Sequence, residues 1–131
     1  MIARAGTPVV QFVAVTNDPA VESREIAYES PGVTQVLRIL PKPIISDAEI
    51  ESAEIAAGQP NVINIMISEK GARMFRQQIK DMLGERVAIL VDGKVLSAPV
   101  LQTVDFGQKL QINGNFREGE AQDIADRLNK K

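Results

Sequence analysis

Apolar positions fall in short blocks or alternate with polar ones along most of the chain, and recur at helical spacing in only a few places. Val9 to Val15 is an apolar run interrupted by Gln11, which predicts a strand, and Asn17-Asp18-Pro19 turns the chain after it. Arg24 to Tyr28 is short and charged, fitting an edge strand or a loop. Ser30-Pro31-Gly32 supplies the next turn. Gln35 to Leu40 predicts a strand ended by Pro41-Lys42-Pro43, because proline has no N–H for a sheet ladder. Ser46 before Asp47 and Glu49 reads as a helix start, a side-chain cap followed by acids at the positive end of the helix dipole. Gly58-Gln59-Pro60 keeps that helix short, and part of Ser52 to Ala57 also fits a strand. Asn61 to Ile67 predicts a strand with Ile63, Ile65 and Ile67 on one face and Val62 and Met66 on the other. Only Asn64 interrupts the second face, so cover on both sides is expected.

Ser68 caps the strongest helical pattern, Glu69 to Leu83. Ala72, Phe75, Ile79 and Met82 with Leu83 form its apolar stripe, Arg73, Arg76, Gln77 and Lys80 its wet side, and Gly84 its stop. Arg86 to Val91 predicts another apolar strand. Asp92-Gly93 then suits a tight hairpin, because both residues tolerate positive φ. Lys94 to Leu96 starts the return strand, and Pro99 limits its pairing. Lys109 to Ile112 is a last short strand before Asn113-Gly114-Asn115. A helix from about Glu118 to Asn129 buries Ala121, Ile124, Ala125 and Leu128. The pattern predicts an α+β fold: a mixed or largely antiparallel sheet with two main helices packed on one face.

Composition narrows the chemistry. The chain has 131 residues, enough for one domain with a core of its own, and 44% are hydrophobic, which excludes a mostly disordered chain. It has no His and no Cys, so Ser-His-Asp and Cys-His catalytic units, thiol redox pairs, disulfides and imidazole or thiolate zinc sites are all excluded. A net charge of −2 lacks the basic excess of a general nucleic-acid binder, and four Phe with one Tyr make a poor stacking platform. No stretch approaches the roughly 20 apolar residues that span a bilayer. The first residues lack the apolar core of a secretory signal, so the chain reads as cytoplasmic or as an extracytoplasmic part without its targeting segment.

Three groups of side chains invite a chemical reading. Asp47, Glu49, Glu51 and Glu54 form the densest carboxylate group, and carboxylates bind calcium or magnesium or do acid–base work. They lack the spacing of a calcium loop and read more simply as a solvated face. Ser68 and Lys70 stand two apart on a helix and point in different directions, which makes Ser68 a cap rather than a nucleophile. Ser97 to Phe106 is apolar and proline-limited and follows a hairpin, so it fits either a buried connection or a sheet edge able to take an extended peptide.

Ala88-Ile89-Leu90-Val91-Asp92-Gly93-Lys94-Val95-Leu96-Ser97-Ala98-Pro99-Val100 resembles the hairpin in the head of the first periplasmic domain of SecD, the protein-export membrane protein. Gln111-Ile112-Asn113-Gly114-Asn115-Phe116, then Glu120-Ala121 and Ile124-Ala125, continue the pattern in order. Ile45 to Ile55 and Ile65 to Phe75 are similar to the same region, so the resemblance covers roughly residues 35–129. Its motif is structural: Asp92 and Gly93 turn, Pro99 ends pairing, Gly114 lets the backbone bend and Phe116 anchors the last helix. Arg117 stands where the family usually has a Ser or Thr cap, and Asp105-Phe106-Gly107 where a more glycine-rich turn is usual.

The resemblance implies a non-enzymatic, extracytoplasmic domain over residues 1–131, with residues 1–34 as N-terminal strands and loop. Such a domain is expected to bind unfolded or translocating polypeptide, or another protein, and to assist export. Without the membrane helices that couple protons, this segment is a cut-out head or a free-standing protein with the head fold. The expected polypeptide-binding residues are Pro99, Val100, Leu101, Val104 and Phe106. No cofactor, metal or nucleic acid is expected. The alternatives are a free-standing secreted or lipoprotein-type regulatory protein with no export role, and a metal-dependent hydrolase using Asp47, Glu49 or Glu54.

Overall fold

Period-two alternation dominates the chain, and nine strands follow from it among the residues that the computed structural model describes: 8–30, 32–103, 107–114, 116–117 and 119–129. The strands are β1 (Val10–Ala14), β2 (Arg24–Ser30), β3 (Val33–Ile39), β4 (Ile45–Ser46), β5 (Ile50–Ala56), β6 (Gln59–Ile67), β7 (Val87–Val91), β8 (Lys94–Ser97) and β9 (Lys109–Asn113). Two helices, α1 (Glu69–Ile79) and α2 (Glu120–Asn129), complete the fold. All strand pairs are antiparallel. One sheet has the order β4-β1-β7-β8, a second β5-β6-β9, and β2 and β3 form a separate hairpin. The architecture is α+β, as the residue pattern predicts.

One apolar core joins the inner faces of both sheets to both helices. Val10, Phe12, Ile45 and Ile89 meet Ile63, Ile65, Ile67 and Ile112, with Ala72, Phe75 and Ile79 from α1 and Ala121, Ile124, Ala125 and Leu128 from α2. Phe12 and Phe75 pack edge to face, ring centroids 5.9 Å apart at 81°, the arrangement the ring quadrupoles favour. A smaller cluster covers the other face of the first sheet. There Val13, Ala88, Leu90 and Val95 lie against Leu37 and Ile39 of β3, with Ile26 and Tyr28 of β2 at its margin.

Several expectations are corrected. The acidic segment after Ser46 makes only a 3₁₀ turn, Asp47–Glu49, and then enters β5. A bulge between Ile50 and Ser52 brings Ile50 and Ala53 to the same inner face. That i, i+3 spacing imitates a helix although the backbone is extended. For Arg24 to Tyr28, read as an edge strand or a loop, the edge strand holds: it pairs with β3 from Arg24↔Ile39 to Ser30↔Val33 in a two-stranded sheet. β6 is covered on one face only: Ile63, Ile65 and Ile67 are buried, while Val62, Asn64 and Met66 on the other face keep partial exposure. α1 ends at Ile79, not Leu83; Ser68 does cap it, its Oγ accepting from Gly71 N–H at 2.9 Å. Leu83 lies outside the helix and is 62% exposed, so it has no place in the buried stripe.

Candidate polypeptide-binding site

The Asp92-Gly93 turn has φ of 53° and 84°, the two positive values that a two-residue hairpin with right-handed strand twist requires. The Asp92 carboxylate also accepts two hydrogen bonds from Arg127 of α2, at 2.8 and 2.9 Å, while Arg127 Nε lies 3.1 Å from Asp123. The hydrogen bonds from Arg127 hold the Asp92 carboxyl below the usual carboxylate range, and the same bonds push the guanidinium up. The hairpin tip is thereby tied to α2.

Beyond the hairpin, β8 ends at Ser97 but the backbone continues beside the start of β7. Val87 N–H donates to Pro99 O (3.0 Å), Leu101 N–H to Glu85 O (2.8 Å), and Gly84 N–H to Leu101 O (2.9 Å). Arg86 Nε–H donates to Ala98 O at 2.9 Å. These bonds fix which side chains face out. Ala98 and Leu101 are buried, Pro99 is exposed, and Val100 is 49% exposed. Leu101, named from sequence as a binding residue, instead packs into the main core. Val104 and Phe106 lie outside the described residues.

Pro99 borders a groove of about 250 Å³, lined by Tyr28, Ile89, Ser97, Ala98, Pro99, Gln111 and Asn113. The hairpin β2–β3, the end of β8 and strand β9 therefore meet there. A larger hollow of about 720 Å³ lies on the uncovered side of the β5-β6-β9 sheet, where Ser52, Glu54, Asn64, Met66, Lys109 and Gln111 project. Gln111 lines both concavities, and its amide donates to Asn64 Oδ1 at 3.0 Å. At the end of β9, Gly114 has no left-handed backbone. Its requirement is proximity: a Cβ there would stand 2.8 Å from Leu96 Cδ1. Phe116 packs partly buried against the main core. Arg117 N–H donates to Glu120 Oε1 at 2.9 Å, so a side chain of α2 takes up the N–H ahead of the helix that lacks a Ser or Thr cap.

The carboxylate group is divided among structural duties. Asp47 accepts from the N–H groups of Val9 and Val10, both at 2.8 Å, and Glu49 accepts from Ser46 N–H at 2.8 Å. Glu51 and Glu54 are exposed. Tyr28, Gln111 and Asn113 were not singled out by sequence reasoning. The signal for the last two is the alternation Lys109-Leu110-Gln111-Ile112-Asn113, which marks a strand with one polar face.

Comparison with known proteins converges on one family. The family described as "SecDF, P1 head subdomain" matches residues 12–130. The protein translocase subunit SecD of Magnetococcus marinus is 32% identical over 109 residues, covering 77% of this chain and 21% of that protein. SecD of Aquifex aeolicus is 34% identical over 86 residues, covering 63% of this chain and 17% of its own length. The chain thus spans about a fifth of the length of these relatives. A crystal structure of SecDF in its super-membrane-facing form superposes with a TM-score of 0.71 at 21% identity, over 93% of this chain and 18% of that one. A second structure, of SecDF as a membrane component that enhances protein export, gives 0.66 at 22% identity over 93% of this chain and 62% of the other. Both share the fold just described. With nearly its whole length matched, from the first core strand to the last helix, the chain belongs to the SecDF P1 head subdomain family.

Proposed function

We propose that this chain is a non-enzymatic, extracytoplasmic domain that binds unfolded polypeptide and assists protein export. Residues 1–131 act in this reading as a single head domain. The relatives are protein translocase subunits, which supports a role in protein export. The observation that carries the reading is the segment Pro99-Val100. It is exposed although the backbone from Ala98 to Leu101 is pinned by hydrogen bonds to the start of β7, and Pro99 borders a groove of mixed polar and apolar lining. An exposed apolar side chain on a rigid backbone beside a groove gives a sequence-tolerant contact at low ordering cost. Val104 and Phe106 follow in sequence and extend the proposed contact; Leu101 supports it from the core.

Val100→Asp tests the reading without touching the core. Crosslinking to an unfolded polypeptide carrying a photoreactive group is expected to fall at least several-fold, while the melting temperature stays within about 2 °C because surface changes rarely exceed ~0.5 kcal/mol. Unchanged crosslinking removes Pro99 and Val100 from the site.

A further inference from the structure

The two edges of the β5-β6-β9 sheet are finished differently. In the β6–β9 pair, Ile67 N–H donates to Gln108 O at 2.8 Å and Gly114 N–H to Asn61 O at 3.2 Å. Counting inward along the register, the hydrogen-bonded partners are Ile65↔Leu110 and Ile63↔Ile112. Lys109, Gln111 and Asn113 therefore turn their N–H and C=O groups away from β6. None of the three finds a backbone partner there among the described residues. The other edge is closed at Ala53, whose N–H donates to Asn129 Oδ1 (2.9 Å) and whose C=O accepts from Asn129 Nδ2 (2.8 Å). One amide side chain thus does what a neighbouring strand would do.

We infer that the free edge of β9 takes a single extended segment of polypeptide as an added strand, a binding mode that rests on the polypeptide-binding reading above. The groove lined by Gln111 and Asn113 has its other wall at Ser97, Ala98, Pro99 and Tyr28. A second copy of this chain would have to fit a whole sheet against that wall, whereas a lone extended segment would not, so the occupant is a single strand. Five residues of added strand, about 17 Å at roughly 3.4 Å per residue, match the length of β9. The hydrogen bonds run to backbone and so ignore sequence. Alternate side chains meet Ile89, Ala98 and Pro99, which favours segments rich in β-branched residues and excludes proline at positions facing β9.

The probe is a short fluorescent peptide of alternating valine and threonine with lysine ends, used with two backbone N-methylated versions, one methylated at the valines and one at the threonines. An added strand turns only one of these sets toward β9. One version is expected to bind at least about tenfold more weakly than the parent and the other nearly as well, since each lost peptide hydrogen bond is worth up to about a factor of ten. Amide exchange at Lys109, Gln111 and Asn113 is expected to slow when the parent binds. Equal binding by both versions, or protection confined to other residues, overturns strand addition and leaves polypeptide binding standing. A parent peptide that does not bind also overturns it, and the polypeptide-binding reading is then judged by the Val100 crosslink alone. Protection of the same three amides in a dimer without peptide overturns it in favour of self-pairing.

Discussion

At Asp92 the backbone (φ 53°) is left-handed, which asparagine and glycine accept and alanine resists. The same residue carries the ion pair with Arg127, in which the side chains remain 53% and 36% exposed. Solvent screening keeps such a pair to at most about 1 kcal/mol. Asp92→Asn is therefore expected to change stability by less than about 1 kcal/mol at neutral pH, because an Asn-Gly turn offsets the lost charge. Asp92→Ala, which loses both, costs about 1–2 kcal/mol by urea denaturation. The pH dependence has a fixed sign. A carboxyl depressed in the folded state contributes fully above its unfolded pKa and is lost as pH falls through the folded value, so Asp92→Asn flattens the acid limb of the stability curve. Gly114 presents a steric demand. Gly114→Ala drives a methyl into Leu96 and is expected to cost about 1–3 kcal/mol, partly recovered in the double variant with Leu96→Val, as thermal denaturation of the set will show.

Among the elements, β5 was the hardest to read from sequence and β7 the easiest. Val87 to Val91 is continuously apolar, bounded by a charged residue and an Asp-Gly turn, and no other element fits it. In β5 a bulge shifts the alternation by one residue, and the capping pattern at Ser46 and Glu49 is real but serves a single 3₁₀ turn. Local signals mark how a helix begins; they do not say that one continues. The candidate site was half legible. Ser97 to Val100 follows from a hairpin and a proline, whereas Tyr28, Gln111 and Asn113 reach the same groove only through the packing of three separate elements. Asn129 left no trace in sequence, since nothing local to α2 indicates that its last residue pairs with Ala53, 76 positions earlier. Asn129→Ala is expected to cost about 1–3 kcal/mol, with the Ala53 amide exchanging faster, because both backbone groups lose their partner at once.

For the molecule as a whole, two apolar clusters of unequal size share the first sheet. The larger one unites both sheets and both helices. The smaller one is closed by a two-stranded hairpin, which is marginal on its own and depends on its packing. Native-state hydrogen exchange is therefore expected to open the β2–β3 hairpin first, with amides of Ile26 and Leu37, which bond across it, less protected than those of Val13 and Ile89 by about 2 kcal/mol or more. Uniform protection across the four positions would show that hairpin and sheet unfold together. Tyr28 belongs to that hairpin and to the groove at once, so loosening the hairpin also loosens one wall of the proposed binding site.

The Asn129 clasp on Ala53 has a consequence for stoichiometry. A sheet with adhesive borders on both sides can stack end to end into a filament, whereas a sheet with one border stoppered accepts one guest and then stops. Concentrating this protein with β-prone chains should accordingly give discrete one-to-one complexes, and removing the stopper should raise the ratio toward two guests per molecule by opening the β5 border as well.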